Sequence, residues 1–212
     1  MAARERQKEK EKNVKDLCIF SLISGRYRHY ADLFKLCAMT AYPEYDVVFQ
    51  VSDVPRDAVS TTFFTACERY LMELRTYKYV YITDIDMMIM RETPTLLDFH
   101  LAEIENTGLP YSNVPRWHEP MGENRLTGLH FVTNAWWDIT KKARDEERRR
   151  LYAGEIGNMK CDDELMLMRI VKNSGLAVPP NSELLCRHHG IHLGTYRDYK
   201  PKGLQSLKAA LS

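Results

Sequence analysis

Short apolar runs alternate with longer stretches of helical periodicity through the first half of the chain. The first run, Leu17–Ile23, is followed by Ser24 and Gly25, which is typical of a buried strand that delivers a loop. Arg28–Tyr42 then carries apolar residues at helical spacing, and Pro43 stops the pattern. The start of the chain therefore predicts one strand followed by one helix.

This strand–helix unit recurs. Tyr45–Asp53 predicts a second strand, Ser60–Leu74 a second helix and Lys78–Met90 a third strand. Alternating strands and helices imply right-handed crossovers and a mainly parallel sheet that is covered on both faces. Ligands of such sheets bind beyond the carboxyl ends of the strands. Three segments lie at such ends: Ser21–Arg26, Ser52–Asp53 and Asp84–Asp86.

The second half of the chain is less regular. Thr107–Gly128 is rich in proline and glycine and predicts a long structured loop, a length typical of binding or gating. Leu129–Trp137 returns to strand character, and Lys141–Leu151 predicts a charged helix with a solvated face. Asp162–Asn173 predicts an amphipathic helix, and Leu184–Gly194 ends the compact part.

Composition and charge exclude several classes of protein. The 212 residues hold 30 Lys and Arg against 29 Asp and Glu, so no overall field recruits nucleic acid or an anionic membrane. The longest apolar stretch near the start is too short to span a bilayer. The five cysteines form no CxxC pair, which indicates neither a zinc site nor a disulfide framework. We therefore expect a soluble cytoplasmic protein with no nucleic-acid partner and no membrane span.

The chain divides into a charged leader and one domain. Residues 1–16 mix both charges without an apolar stripe, and Glu5, Glu9 and Glu11 argue against a basic arm that binds nucleic acid. We expect residues 17–212 to form a single domain. The final LKAALS has helical character without a cap, which leaves open that this domain is part of a longer protein. The oligomeric state is also open, and a monomer is compatible with the sequence.

Asp84 and Asp86 carry the strongest chemical signal. One residue separates them, so on a strand both side chains point to the same face, within an apolar run. Two adjacent carboxylates in apolar surroundings need a cation, and oxygen ligands favour Mg²⁺ or Mn²⁺. The alternative is that these acids cap a turn or pair with a basic neighbour such as Arg91.

The segment YVYITDIDMMI resembles the aspartate-x-aspartate strand of GT-A glycosyltransferases. The order of parts is also similar over about Leu17 to Tyr199, and the nearest resemblance is to glycogenin-type enzymes and to small virus-encoded transferases, including those of chlorella viruses that build capsid glycans. The resemblance implies an α/β, GT-A (Rossmann-like) fold with a mixed, mainly parallel central sheet flanked by helices. Its first half would bind the nucleotide and its second half the acceptor.

The activity that this resemblance implies is metal-dependent glycosyl transfer. A hexose or deoxyhexose would move from a UDP-sugar to a glycan or glycoprotein acceptor, with Mn²⁺ or Mg²⁺ as cofactor and with retention favoured. A viral member would act in capsid glycan synthesis in the host cytoplasm. Two other interpretations remain: a haloacid-dehalogenase-type phosphatase, and a non-catalytic module that binds a nucleotide-sugar.

The resemblance also assigns residues to the site. Asp84 and Asp86 would hold the metal together with His192 of IHLG, with His189 as the alternative ligand. Two residues of the donor set given next also have a structural interpretation. Asp53 could cap a helix, and Arg69 could be a solvated helix residue. The residues assigned to the donor nucleotide-sugar are Ser21, Leu22, Ile23, Ser24, Arg26, Tyr27, Asp53, Arg69, Thr83, Asp84, Ile85 and Asn134.

Two further groups complete the assignment. In CDDELM, Asp162 would hold sugar hydroxyls and Asp163 would lie near the anomeric carbon. The alternative is that these acids only stabilise a helix N-terminus. Trp117, Trp136 and Trp137 either stack on sugar rings or belong to the core, and we expect one of each role within the Trp136–Trp137 pair.

Overall fold

A five-stranded sheet forms the centre of the molecule. The computed structural model describes residues 15–52, 61–118, 122–156, 162–180 and 189–194, and the statements below concern these ranges. In spatial order the strands are β2 (Asp46–Val51), β1 (Lys15–Ile23), β3 (Tyr77–Ile82), β8 (His130–Thr133) and β5 (Tyr111–Ser112).

The strand directions confirm a mixed, mainly parallel sheet. β1 pairs in parallel with both β2 and β3, whereas β8 pairs antiparallel with β3 and with β5. Among these five strands, β8 alone therefore runs against the others. The last two residues of the predicted leader, Lys15 and Asp16, already belong to β1, and the rest of the leader lies outside the described residues, as does LKAALS.

Different helices cover the two faces of the sheet. Along β1, Cys18 and Phe20 belong to one apolar cluster and Leu17 and Ile19 to the other, because side chains alternate between the faces of a strand. The first cluster includes residues of α2 (Thr61–Glu68), α4 (Asn134–Ile139), α5 (Lys141–Tyr152) and α6 (Asp162–Asn173), and the second includes residues of α1 (Ala31–Ala41) and α3 (Leu96–Thr107).

Among the described helices, none is long and apolar enough to cross a membrane.

The third predicted strand is divided in two. Lys78–Met90 was expected to be continuous, but β3 ends where the Thr83 N–H donates to the Phe20 carbonyl, at 2.9 Å. The chain then turns and forms β4 (Met87–Ile89), which pairs with β9 (Gly190–His192) in a separate antiparallel sheet. Apolar periodicity does not reveal this break, because both halves of the segment are buried.

The predicted loop Thr107–Gly128 contains regular structure. It begins at the end of α3, includes β5, and continues into a hairpin of β6 (Pro115–His118) and β7 (Glu123–Leu126). The segment is therefore structured, as predicted, but much of it forms short strands and is not a loop. Its prolines and glycines are typical of turns between short strands as well as of loops.

The end of the strand predicted over Leu129–Trp137 is helical. β8 stops at Thr133, and α4 begins at Asn134. Trp136 and Trp137 are both fully buried on this helix. The expectation that one of the two stacks on a sugar is wrong, because both indole rings fill the core.

The charged helix α5 is not solvated along its whole length. Arg144 is buried and donates to the Trp137 carbonyl oxygen at 2.8 Å, and it also forms an ion pair with Glu73. Glu147 is buried as well and accepts from Arg169 at 2.9 Å. These paired charges offset the cost of burial, so a run of charges need not be an exposed surface.

Two leucines give a matched test of the core. Leu17 is buried on β1, whereas Leu36 of α1 is 65% exposed. Leu17→Ala should lower the free energy of unfolding by about 2–5 kcal/mol, whereas Leu36→Ala should change it by less than about 0.5 kcal/mol. Urea denaturation of both variants measures the difference, and equal losses would contradict the assignment of β1 to the core.

Candidate metal and donor site

Two carboxylates and an imidazole meet at the carboxyl end of β3. His192 Nε2 lies 3.2 Å from Asp86 Oδ1 and 3.5 Å from Asp84 Oδ2. One ligand atom of each residue lies within 4.8 Å of those of the other two. Asp84 and Asp86 stand in the turn between β3 and β4, so the argument from one strand face is wrong. The turn nevertheless directs both carboxylates towards the same imidazole.

Strand pairing brings the imidazole to this turn. β9 runs antiparallel to β4 with His192 opposite Met87, and the Leu193 N–H donates to the Asp86 carbonyl oxygen at 2.8 Å. Gly194 follows, and a Cβ there would lie 2.5 Å from Asp86 Oδ2. Any larger residue at position 194 would therefore have to displace the Asp86 carboxylate. His189, the alternative ligand, is buried elsewhere and contacts other residues.

A buried arginine joins this group to the start of α6. The Arg69 guanidinium forms an ion pair with Asp84 Oδ1 and a second with Asp163 Oδ2 at 3.1 Å. Its Nη2 also donates to the Tyr70 hydroxyl at 2.7 Å. Arg69 follows the last residue of α2 and is only 5% exposed, so the alternative of a solvated helix residue is wrong.

Gly128 leaves the space that this arginine occupies. A Cβ at residue 128 would lie 3.0 Å from Arg69 Nη2, and the Gly128 carbonyl accepts from the Tyr70 hydroxyl at 3.0 Å. The Gly128 N–H donates to Glu164 Oε1 at 2.9 Å, and Glu164 forms an ion pair with Arg125 of β7. Sequence reasoning missed Tyr70, Gly128 and Glu164, because their contacts arise only when three distant segments meet.

The charges around the site shift the pKa of each group in a defined direction. Burial opposes ionisation of Asp84, but Arg69 and His192 outweigh it and hold the pKa of Asp84 well below its usual range. Burial also opposes protonation of His192, but the two carboxylates raise its pKa to about 10. Burial raises the pKa of Asp163, and Arg69 offsets only part of this effect.

These residues fit a divalent cation. Two carboxylates and one imidazole are suitable ligands for Mn²⁺ and acceptable ligands for Mg²⁺. The two carboxylates raise the pKa of His192 because they attract positive charge, and a metal ion would take the place of its proton. Asp84, Asp86 and His192 are therefore the residues that could hold the metal.

The residues predicted on β1 are engaged in the fold. The Ser21 hydroxyl is buried and donates to the Thr83 carbonyl at 2.9 Å. Leu22 and Ile23 are buried and pair with β2, and Ser24 is buried at the strand exit. These side chains are therefore engaged within the fold, and contact between the backbone groups of this strand exit and a uracil edge stays a prediction. These side chains pack within the sheet because β1 is a central strand that is covered on both faces.

The remaining donor residues fall into three groups. Thr83 and Ile85 are buried beside the acidic turn, and Ile85 belongs to the apolar cluster under α1 and α3. Tyr27 is half-buried in a 3-10 helix, Gly25–Tyr30, that directly follows β1. The Arg26 side chain and the whole of Asp53 lie outside the described residues.

Asn134 lies away from the site. It follows Thr133, which pairs with Tyr79, whereas Asp84 follows the opposite end of β3. The extended chain from Tyr79 to the end of β3 at Ile82 spans about 10 Å, and Asp84 lies beyond that end, in the turn. The predicted contact between Asn134 and the donor sugar is therefore wrong. Because β8 runs antiparallel to β3, it carries Asn134 to the end of the sheet opposite the acidic turn.

The acids at the start of α6 remain at the site. Asp162, Asp163 and Glu164 occupy its first turn, where the helix dipole favours negative charge. Asp163 contacts Arg69 and Glu164 contacts Gly128, so both have specific partners beyond the helix dipole. The interpretation that these acids only stabilise the helix end is therefore insufficient. The predicted roles of Asp162 and Asp163 in binding a sugar remain predictions.

Two glycosyltransferases are among the solved structures to which this chain is similar. One takes part in the glycosylation of the major capsid of PBCV-1; it is 14% identical, has a TM-score of 0.43, and the match covers 61% of this chain and 66% of that one. The other is the apo form of GlyE of Streptococcus pneumoniae TIGR4, with 10% identity, a TM-score of 0.46, and coverage of 76% and 44%. This chain spans less than two thirds of the length of either. No family model and no curated protein sequence matches it.

Arg69 and Arg75 provide a matched test of the buried ion pairs. Lysine cannot contact Asp84, Asp163 and Tyr70 together, because its ammonium is a single point charge on a flexible stem. We expect Arg69→Lys to lower the free energy of unfolding by about 2–3 kcal/mol. Arg75 is 43% exposed, so Arg75→Lys should cost less than about 1 kcal/mol. Similar losses in urea denaturation would contradict the bridging role of Arg69.

Proposed function

We propose that the chain is a metal-dependent glycosyltransferase that moves a hexose or deoxyhexose from a UDP-sugar to a glycan or glycoprotein acceptor. The proposal rests on one observation, the convergence of Asp84, Asp86 and His192 beyond the carboxyl end of β3. In sheets of this kind, ligands bind at that edge. The resemblance of the acidic segment to GT-A enzymes supplies the reaction class.

Asp84, Asp86 and His192 would hold Mn²⁺ or Mg²⁺. Bound there, the cation would neutralise the negative charge that develops on the departing diphosphate. Arg69 keeps Asp84 ionised, and the peptide N–H of Leu193 holds the backbone of Asp86. The chain thus fixes the ligands before the donor binds, so little reorganisation is needed during the reaction.

Asp163 and Asp162 would orient the donor sugar. Arg69 binds Asp163 Oδ2 and fixes the carboxylate, which would accept a hydrogen bond from a sugar hydroxyl. Asp162 is half-buried on the preceding position of the same helix turn. We favour retention, in which the departing phosphate accepts the acceptor proton. Inversion would require an acid such as Asp163 to deprotonate the acceptor.

The nucleotide would lie at the exit of β1. Tyr27 follows this strand on the 3-10 helix and offers a ring for stacking on the uracil. Backbone groups around Ser24, together with Arg26 and Asp53, are proposed to complete the base and ribose contacts. A capsid glycan is one acceptor to test, because the acidic segment resembles those of small virus-encoded transferases.

The phosphatase alternative is less consistent with the geometry. A phosphatase of that class uses an aspartate as nucleophile on an early strand, whereas β1 and β2 with their helices precede Asp84. Asp84 also has one oxygen on Arg69 and the other 3.5 Å from His192. A nucleophile needs an unshared oxygen. A vanadate-sensitive phosphatase activity would support this alternative.

Nucleotide binding provides the first test. We expect UDP to raise the melting temperature only with Mn²⁺, and more than GDP, CMP or TDP, because a ligand that binds the native state stabilises it. Asp86→Asn should abolish this shift, since it removes one ligand charge. Asp138→Asn is the matched control, because Asp138 is 70% exposed on α4. A UDP shift that persists in Asp86→Asn would contradict the metal role.

Release of UDP separates an enzyme from a binding module. With a UDP-sugar and a panel of glycan acceptors, a transferase releases UDP at a rate that depends on the acceptor and on Mn²⁺. A module would bind the UDP-sugar and release no UDP even at high protein concentration. That outcome would leave the metal site in place and overturn the proposed catalysis.

Metal affinity should increase with pH. The carboxylates raise the pKa of His192 to about 10, so its proton must leave when the metal binds. The affinity for Mn²⁺ should rise by up to about tenfold per pH unit between about pH 7 and pH 8.5. In the metal-free protein, the same proton stabilises the fold fully below about pH 6.5, and this contribution is lost as the pH rises towards 10.

Isothermal titration calorimetry in buffers of different ionisation enthalpy measures both the affinity and the released proton. His192→Asn is the control, since it keeps a polar side chain and removes the titrating group. Its affinity should be weaker and nearly independent of pH in this range. A wild-type affinity that does not change with pH would contradict the assignment of His192.

A further inference from the structure

His189 is buried immediately before β9 and has no role in the site described above. Its φ is +50°, in the left-handed region, and Gly190 follows with φ +147°. A Cβ at residue 190 would overlap the Met88 carbonyl. A residue other than glycine in the left-handed region costs about 1–2 kcal/mol, so other contacts must hold His189 in place.

Both ring nitrogens of His189 face polar groups of other segments. Its Nδ1 lies 3.3 Å from Glu92 Oε2, and its Nε2 lies 3.1 Å from Nε2 of His100 on α3. The Nδ1 of His100 lies 2.9 Å from the Ser112 hydroxyl on β5. A continuous polar chain of four side chains therefore joins the segment after β4, the start of β9, α3 and an edge of the central sheet.

Aromatic packing and one backbone bond complete the anchor. The His189 ring lies edge-on to the rings of Tyr81 and Phe99, each with centroids 5.5 Å away. The Met90 N–H donates to the His189 carbonyl oxygen at 2.9 Å. The ring is thus held on several sides within the cluster that lies under α1 and α3.

The strand that this residue precedes is very short. β9 has three residues and pairs with β4, itself three residues long. So few backbone hydrogen bonds leave the position of His192 weakly determined along the strand. His189 stands three residues before His192, and its contacts fix where the strand begins.

We propose that His189 is a positioning residue that anchors β9 and thereby holds His192 against Asp84 and Asp86. The inference rests on the proposed function in taking these three residues as the metal ligands. His189 acts through the backbone of β9 and is not itself a ligand. Glu92 and His100 hold its ring, and Ser112 holds His100.

His189→Gly tests the anchor with little backbone cost. Glycine adopts the native φ without strain, so the variant removes the ring and keeps the preferred backbone conformation. We expect the affinity of the full chain for Mn²⁺ to fall by about 10-fold or more, as for other residues that orient metal ligands. Imidazole added to fill the vacated space should restore much of the affinity, relative to wild type in the same imidazole concentration.

Leu151→Ala is the control for general destabilisation. Leu151 is buried on α5 in the other apolar cluster, so its loss should lower stability without changing the affinity for Mn²⁺. Glu92→Gln is a milder second variant, because Glu92 is partly exposed and the change keeps its size. It should weaken Mn²⁺ binding by about threefold, because it replaces the carboxylate beside His189 Nδ1 with a neutral amide.

A second readout needs no metal. Hydrogen exchange of the amides of β4 and β9 should be faster in His189→Gly than in wild type and unchanged in Leu151→Ala. Folded His189→Gly with wild-type exchange in this small sheet would overturn the anchor, as would wild-type affinity for Mn²⁺. Wild-type protein that binds no Mn²⁺ would refute the proposed function, and the exchange result would still decide the role of His189.

Discussion

The electrostatic balance around Arg69 is the constraint on which the site depends. Three carboxylates, those of Asp84, Asp86 and Asp163, lie close together at the edge of a largely apolar sheet. One buried guanidinium neutralises part of this charge and holds two of the acids in a fixed relation. The remaining negative charge is balanced by a proton on His192 or by a metal ion. The space at Gly128 and the contact with Tyr70 exist because the guanidinium must fit between these groups.

The local pattern of apolar residues was sufficient to predict the strands and helices that bury one continuous face. The expected strands over Leu17–Ile23 and Tyr45–Asp53 correspond to β1 and β2, and the amphipathic helix Asp162–Asn173 has the observed bounds. The resemblance of the acidic segment also placed Asp84, Asp86 and His192 in one group, and the structure brings them together. These features are carried by residues close in sequence or by a recognisable motif.

The errors came from interactions between distant segments. The division of the third strand depends on where β9 pairs, and the position of Asn134 depends on the direction of β8. Neither property is encoded in a local periodicity. The sequence left Arg69 open between a donor contact and a solvated helix residue, because only the fold supplies its two acidic partners.

The late position of β9 has a consequence for synthesis of the protein. The two acids emerge from the ribosome more than 100 residues before the imidazole, since they stand at 84 and 86 and the imidazole at 192. All five strands of the central sheet precede β9, so an unfinished chain can assemble the sheet while the acids still lack their third partner. Premature termination before Gly190 would therefore yield a molecule with much of its architecture and an open acidic turn. If Asp84, Asp86 and His192 bind a metal ion as proposed, metal binding would then mark a chain that has been translated as far as β9.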